Sequence, residues 1–131
     1  MRTIAIIEDN EDNRLLLTGL LEDFFRLVEF ASGADALAAL PSRPVDLILL
    51  DISLPEMDGV EVLARLRTFD ALRRVPAIAL TAHAMEGDRD RFLQAGFNEY
   101  VTKPIVDEAV LLSAIQRCLA GGNAPGAPPA A

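Results

Sequence analysis

Five short apolar runs, separated by amphipathic segments, are the feature that most limits how this chain can fold. The runs lie at about 3–8, 27–31, 46–51, 76–81 and 98–102. Several are apolar at consecutive positions, which is typical of strands that are covered on both faces. Strands that alternate with helices indicate a parallel sheet, and right-handed crossovers then favour a doubly wound layout. We therefore predict an α/β fold with a five-stranded parallel sheet and five helices.

Apolar residues at helical spacing predict which positions of the five helices are buried. These positions are Leu16, Leu17, Leu20, Leu21 and Phe24 in the first helix, Leu37 and Leu40 in the second, Val62, Leu63, Leu66 and Phe69 in the third, Phe92 and Leu93 in the fourth, and Leu111, Leu112, Ile115, Cys118 and Leu119 in the fifth. Ser32 and Asp35 have the spacing of a capping box, with Asp in place of the usual Glu or Gln, and would open the second helix. Gly96 would end the fourth.

Size and composition set limits on the class of protein. The chain has 131 residues, of which 51% are hydrophobic, and this predicts one domain, at residues 1–120, with a sizeable core. Residues 121–131 are only Gly, Ala, Pro and Asn, a composition that predicts a disordered tail. The lone Cys118 excludes an internal disulfide and favours a cytoplasmic location. The net charge of -8 disfavours nucleic acids and anionic membranes as partners.

Acidic residues close two of the apolar runs, and the only lysine of the chain follows another. Glu8 and Asp9 come at the end of the first run, Asp51 ends the third, and Lys103 follows the fifth. The carboxyl ends of parallel strands meet at one edge of a sheet, where ligands bind. Two carboxylates about 4 Å apart repel each other by about 4 kcal/mol at an effective dielectric near 20, so a proton or a cation must relieve that repulsion. Hard oxygen ligands, without a His or Cys cluster, predict Mg²⁺.

Asp51 is the candidate nucleophile, because a carboxylate can accept a phosphoryl group as an acyl phosphate. Phosphoryl transfer depends mainly on positioning and charge neutralisation, which Mg²⁺ and the ammonium of Lys103 could supply. Thr81 ends the fourth apolar run, and its hydroxyl could donate a hydrogen bond to a phosphoryl oxygen. The sequence thus predicts a site for phosphoryl chemistry.

The chain resembles the receiver domains of two-component response regulators, and is similar to the chemotaxis receiver and the small single-domain cell-cycle receivers. The resemblance covers about residues 3–119 and rests on IIEDN at 6–10, LILLDISLPEMDGVEV at 47–62, TAHAM at 81–85 and YVTKPI at 100–105. It implies a flavodoxin-like fold with strand order 2-1-3-4-5. It also implies a phosphoacceptor that assists its own phosphorylation and dephosphorylation, and is not otherwise an enzyme.

The resemblance implies a role for each matching residue of the site. Asp51 would be the phosphoacceptor. Asp9 would bind Mg²⁺ directly and Glu8 would bind it through water. The complete set of Mg²⁺ ligands would be Glu8, Asp9, Asp51 and the backbone carbonyl of Ser53. Thr81 and Lys103 would bind the phosphoryl group. Thr81 and Tyr100 would change position when the protein switches between its two states.

Two further groups of residues are implied by the same resemblance. Ser53 and His83 would tune the rate of dephosphorylation. The surface that docks phosphodonors would consist of Asn10, Asn13, Arg14, Leu17 and Pro104, the last after a cis peptide bond.

The implied partners are a histidine kinase or a histidine phosphotransfer protein as donor, and a downstream target protein. The target would bind the face of the fourth helix, fifth strand and fifth helix, and the same face allows a phosphorylation-dependent homodimer. Met1 and the short tail favour a free-standing regulator over a piece of a hybrid kinase.

Two other functions stay open. A magnesium-dependent phosphohydrolase with an aspartyl-phosphate intermediate would use the same carboxylate, but such enzymes commonly carry a second Asp two residues later, where Ser53 stands. A flavin-binding electron carrier of similar fold would need a first loop rich in Thr, Ser and Gly. Residues 8–12 instead read Glu-Asp-Asn-Glu-Asp, which would repel phosphate without a metal.

Overall fold

Strands and helices alternate along the chain as the apolar runs predict. A computed structural model of the protein describes residues 2–82, 88–103, 105 and 107–121. Within these ranges the strands are β1 (Thr3–Ile7), β2 (Arg26–Phe30), β3 (Leu47–Asp51), β4 (Ala77–Thr81) and β5 (Glu99–Thr102). The α-helices there are α1 (Glu11–Leu21), α2 (Gly33–Ala39), α3 (Gly59–Leu66), α4 (Asp88–Gln94) and α5 (Glu108–Gly121), with short 3₁₀ turns at Leu40–Ser42 and Asp70–Leu72.

The described strands form one sheet in the order β2-β1-β3-β4-β5, and every neighbouring pair is parallel. This confirms the predicted fold and strand order. The winding reverses between β1 and β3, where Ile7 is paired with Leu50. The residues that follow this pair, Glu8 and Asp51, therefore lie beside each other at the carboxyl edge of the sheet.

Helices cover both faces of the sheet. On one face, the sheet packs against α1 and α5 through a buried cluster that includes Ile6, Leu49 and Leu111. On the other face it packs against α2, α3 and α4 through a cluster that includes Ile48 and Phe92. All positions of β3 and β4 are buried, which accounts for their lack of alternation. Full burial of a Leu or Ile side chain stabilises the fold by about 1.5–3 kcal/mol.

For two helices, the predicted set of buried apolar residues extends beyond the end of the helix. α1 ends at Leu21 and α3 ends at Leu66, so Phe24 and Phe69 lie outside these helices and their side chains are exposed. Leu16 is exposed as well, because the buried face of α1 is the narrow stripe through Leu17 and Leu21. The chain leaves α1 through hydrogen bonds from two backbone N–H groups to the Leu21 carbonyl, and then turns directly into β2.

Side-chain caps begin the helices that follow the strand ends. The Ser32 side chain accepts a hydrogen bond from the Asp35 N–H at 3.1 Å, which confirms the predicted start of α2. Asn10 caps α1 in the same way, and Asp58 caps α3. Such a cap stabilises a helix by about 1 kcal/mol. Gly96, with a φ of 107°, ends the turn after α4 as predicted, in a backbone conformation that favours glycine.

Arg67 holds loops together at the amino edge of the sheet, away from Asp51. Its half-buried guanidinium donates from Nη1 to the carbonyl oxygens of Leu72, at 2.8 Å, and Val75, and from Nη2 to that of Gly96 at 3.0 Å. Burial lowers the pKa of Arg67 to about 10, which leaves it charged at neutral pH. The three carbonyls replace the water that burial removes from Nη1 and Nη2, whereas the buried Nε has no hydrogen-bond partner among the described residues. All three carbonyls lie before β4 or β5.

Three further predictions concern Cys118, membrane-spanning helices and the C-terminal segment. Cys118 is buried in α5 as predicted, and burial raises the pKa of its thiol to about 11. In the ranges given above, no helix has the length and apolar character that a membrane crossing requires. α5 extends to Gly121, and the rest of the predicted tail, residues 122–131, lies outside the described residues.

Gly59 begins α3 in direct contact with the backbone after Asp51. A Cβ atom at this position would lie 2.5 Å from the Asp51 carbonyl oxygen and 2.8 Å from the Ile52 Cα. We expect Gly59→Ala to lower the free energy of unfolding by about 1–3 kcal/mol, because backbone atoms at the site would have to shift. Urea denaturation followed by circular dichroism would measure this.

Gly19→Ala is the matched control for Gly59→Ala. Gly19 lies in α1, and a Cβ there would meet no atom within 4 Å. Alanine is the better helix former, so this variant should gain about 0.5–1 kcal/mol. Equal stability of Gly59→Ala and the parent would contradict the close approach.

Candidate functional site

The carboxyl ends of three strands bring two buried acidic side chains and an ammonium together. Glu8 follows β1, Asp51 is the last residue of β3, and Lys103 follows β5. The Lys103 Nζ lies 3.1 Å from Asp51 Oδ1 and 3.2 Å from Glu8 Oε1. The Ser53 N–H also donates to Asp51 Oδ1, at 2.9 Å. The predicted convergence of these residues is confirmed by the geometry.

Glu8, Asp9 and Asp51 form a group that could hold a metal ion, and we call it the acidic cluster. Each of them offers a carboxylate oxygen, and these oxygens lie within 4.8 Å of one another. Glu8 and Asp51 are buried, whereas Asp9 is exposed, so the cluster has one side open to solvent. An all-oxygen set that leaves room for water fits Mg²⁺.

Burial and mutual charge set the protonation of the cluster. Burial raises the pKa of Glu8 to about 7, with a further contribution from a hydrogen bond and the charge of Asp51. Burial alone would also raise the pKa of Asp51, but hydrogen bonds from Glu8, the Ser53 N–H and Lys103 hold it below its usual value. Of the two carboxyl groups, Glu8 is therefore the one that binds a proton first as the pH falls through about 7, and Asp51 stays ionised.

The side chain of Lys103 is protonated and positively charged at neutral pH. Burial by itself would lower the pKa of the ammonium, but hydrogen bonds and charges from Asp51 and Glu8 raise it overall. The side chain is 17% exposed, so its charge is only partly screened by water. A charged ammonium against an ionised carboxylate is thus the resting state of the site at neutral pH.

Thr81 and Tyr100 lie on neighbouring strands, on the sheet face that α4 covers. Thr81 is buried at the end of β4, and its carbonyl accepts a hydrogen bond from the Lys103 N–H at 2.7 Å. Tyr100 is paired in register with Ala79, two residues before Thr81, so both side chains project to one face. The half-buried Tyr100 ring has its centroid 5.8 Å from that of Phe92 in α4.

The predicted docking residues of α1 differ in their exposure to solvent. The prediction that Leu17 contacts a phosphodonor is wrong, because its side chain is 2% exposed and packs in the core beneath α1. The exposed apolar residues of α1 are Leu15 and Leu16. Asn10 is exposed at the start of α1, and its side chain accepts from the Asn13 N–H at 3.0 Å. The predictions for His83 and Pro104 lie outside the described residues.

Arg14 contacts the site, which its sequence pattern did not indicate. Its Nη1 donates to the carbonyl oxygen of Glu8 at 2.8 Å and to that of Asp9 at 3.1 Å. Spacing alone offers a weak signal, because residues five and six positions apart across a turn into a helix can meet in several ways. The contact of Gly59 with the Asp51 backbone is likewise visible only in the folded chain.

Comparison with known proteins places the chain among receivers. The family model described as "Response regulator receiver domain" matches residues 4–116. The polar-differentiation response regulator DivK of Brucella anthropi is 42% identical over 105 residues, which are 79% of this chain and 85% of that protein. The signal transduction histidine-protein kinase BarA of Escherichia coli is 39% identical over 107 residues, 81% of this chain but 12% of the kinase.

A solved structure agrees with these relatives. The receiver domain of the sensor histidine kinase PA1611 from Pseudomonas aeruginosa has a TM-score of 0.82 and 37% sequence identity, and the match covers 91% of this chain and 98% of that one. That crystal structure contains a magnesium ion coordinated in its active-site cleft.

Proposed function

Because the chain belongs to the response-regulator receiver family of two-component signalling, we propose that it is a phosphoacceptor switch. In this proposal the carboxylate of Asp51 takes a phosphoryl group from a phosphohistidine of a partner. The observation that carries the proposal is the state of Asp51: it is 2% exposed, ionised, and 3.1 Å from the Lys103 ammonium. An ionised nucleophile beside fixed positive charge is what phosphoryl transfer requires.

The proposed step has simple chemistry. An oxygen of Asp51 forms a bond to phosphorus, the bond from phosphorus to the imidazole nitrogen breaks, and the imidazole leaves with the electron pair and takes a proton. The ammonium of Lys103 would follow the negative charge onto the phosphoryl oxygens, and the Thr81 hydroxyl would donate to one of them.

Mg²⁺, when bound, would neutralise charge on the transferred group. The acidic cluster and the backbone carbonyl of Ser53 would hold it. The open side of the cluster, at Asp9, would leave space for water and for a phosphoryl oxygen. The magnesium ion in the related receiver of PA1611 supports this assignment.

Incubation of the parent protein with acetyl phosphate and MgCl₂ tests the proposal. We expect one phosphoryl group per chain, labile to base, and located at position 51 by borohydride reduction and peptide mapping. A label at another residue, or no label, would contradict the proposal. Repeated turnover of small phosphate esters would instead favour the phosphohydrolase.

We propose that phosphorylation is read out through the face of α4, β5 and α5. Thr81 and Tyr100 share a sheet face, and Tyr100 packs on Phe92 of α4. If Thr81 is drawn towards the phosphoryl group, space next to it opens for the Tyr100 ring. Such a shift would bias an equilibrium between two arrangements of this face, and a target protein or a second copy of the chain would bind one of them.

The proposed donor is a histidine kinase or a histidine phosphotransfer protein, acting in the cytoplasm. The start of α1, with the exposed Asn10, Leu15 and Leu16, is the surface that we propose for its docking. Ser53, which lies next to Asp51, remains the proposed residue for tuning the lifetime of the phosphoryl group.

Binding of Mg²⁺ should become tighter as the pH rises. The pKa of Glu8 is raised to about 7, so the cluster must lose a proton before it binds the cation with full charge. Between about pH 6 and about pH 8 we expect a roughly tenfold gain in affinity, with nearly one proton released per bound ion at the lower pH and almost none at the higher. Calorimetry in two buffers of different ionisation enthalpy measures both quantities.

Glu8→Gln is the control for this pH dependence. The amide cannot titrate, so the affinity of this variant should stay nearly constant over the same range. A parent protein whose Mg²⁺ affinity is flat with pH would show that Glu8 is already ionised in the free protein.

A further inference from the structure

The side chain of Arg14 turns back onto the segment that carries the acidic pair. Its guanidinium is fixed by oxygen atoms from two directions: Nη1 donates to the carbonyls of Glu8 and Asp9, and Nε lies 3.9 Å from Glu29 Oε1 on β2. The side chain is 20% exposed. Arg14 therefore uses its Nη1 donors inside the protein, and only a fifth of its side chain is exposed.

We infer that Arg14 is a positioning residue for the metal site, which fixes the directions of the Glu8 and Asp9 carboxylates through their backbone. Glu8 and Asp9 lie between two anchors. Before them, the Glu8 N–H donates to the Phe30 carbonyl at 3.1 Å, which ties the segment to the sheet. After them, Asn10 caps α1. Between the anchors, the peptide groups that set the side-chain directions are held by Arg14.

The hydrogen bonds from Arg14 are strong ones, because the donor carries a charge. They also bring positive charge next to the backbone of two members of the acidic cluster, where it offsets part of the carboxylate repulsion. A metal ion with strict geometry, such as Mg²⁺, is sensitive to small errors in ligand direction. The positive charge of Arg14 by itself repels the cation, but the loss of ligand positioning should outweigh the loss of that repulsion. Removal of the guanidinium should therefore weaken Mg²⁺ binding, although no ligand side chain is replaced.

Titration of the full chain with MgCl₂ tests this inference, which rests on the proposed magnesium site. Arg14→Met keeps the aliphatic stem but has no donor and no charge, and we expect its Mg²⁺ dissociation constant to rise about tenfold. Arg14→Lys keeps a charged donor and should recover part of the loss. Arg65→Met, on the exposed side of α3, removes the same charge elsewhere and should leave the affinity unchanged.

The possible results distinguish a failure of the proposed magnesium site from a failure of the role inferred for Arg14. A parent protein that binds no Mg²⁺ would overturn the proposed function together with this inference. A parent that binds Mg²⁺, and an Arg14→Met variant that binds it equally well, would overturn the inference alone, and a selective loss of transfer from a histidine kinase would then assign Arg14 to donor docking. If Arg14→Met does not fold, as judged by circular dichroism without metal, Arg14→Gln takes its place with the same expected loss.

Discussion

Replacement of Asp51 by Asn should reduce phosphoryl incorporation from acetyl phosphate to background. The amide has nearly the same shape but lacks the ionised oxygen that attacks phosphorus, and the remaining residues of the site cannot supply it. Intact-protein mass spectrometry after incubation with acetyl phosphate and MgCl₂ would measure the loss. A variant labelled to the same extent as the parent would remove position 51 from the chemistry.

The loss in Asp51→Asn should come from chemistry and not from unfolding. Asn removes one charge from the acidic cluster, so the carboxylate repulsion there falls and the metal-free variant should stay folded at neutral pH. Asp23→Asn, at an exposed position after α1, is the matched control and should be labelled as the parent is. A crystal structure of the parent with beryllofluoride and Mg²⁺ should show the modified side chain at position 51.

Lys103→Met should affect both stability and phosphorylation. The ammonium lies 3.1 Å from Asp51 Oδ1 and 3.2 Å from Glu8 Oε1, so its loss leaves buried carboxyl groups without compensation. Near pH 8 and without metal we expect the free energy of unfolding to fall by about 3 kcal/mol. The rate of labelling by acetyl phosphate should fall about a hundredfold, because positive charge at the phosphoryl group is lost. Urea denaturation and initial labelling rates measure the two effects.

The stability loss in Lys103→Met should depend on pH. The pKa of Glu8 is already above its usual value in the folded protein, and removal of the ammonium raises it further, since the charge of Lys103 lowers it. A raised folded-state pKa contributes stability at low pH that is lost as the pH rises through it. The deficit should therefore be smaller near pH 5, where only the pair with the ionised Asp51 is lost, and largest near pH 8, where Glu8 is ionised as well.

Lys103→Arg separates the two effects of Lys103. The guanidinium restores a positive charge, so most of the stability should return. The planar group is wider than an ammonium and presents its donors differently, so the labelling rate should not return to the parental value. Parental stability and parental rate in Lys103→Met would together show that the ion pairs are incidental.

The fold could be predicted because burial on both faces leaves a direct mark on the sequence. The consecutive apolar residues of β3 and β4 are all buried, and their runs predicted the strands to within a residue. Helix ends were less predictable. Phe24 and Phe69 continue an apolar spacing, but the chain leaves each helix earlier in order to enter the next segment. Apolar periodicity indicates which face of a helix is buried, but it does not indicate at which residue the helix ends.

The site could be predicted to the extent that strand ends define it. Glu8, Asp51 and Lys103 meet because parallel strands end at one edge, a rule that needs no knowledge of side-chain packing. Arg14 could not be placed in this way, because a long flexible side chain on a helix can face a partner or fold back. Leu17 shows the same limit: the family pattern places it near the docking surface, and only the packed structure shows that it is buried.

The guanidinium of Arg67 ties loops together at the edge of the sheet opposite the one that carries Asp51. It binds the loops before β4 and β5 through carbonyl groups that take no part in the acidic cluster. If phosphorylation of Asp51 rearranges the carboxyl edge as proposed, the hydrogen bonds of Arg67 would keep the loops before β4 and β5 in place. Substitutions near Asp51 should then leave this anchoring of the amino edge unchanged.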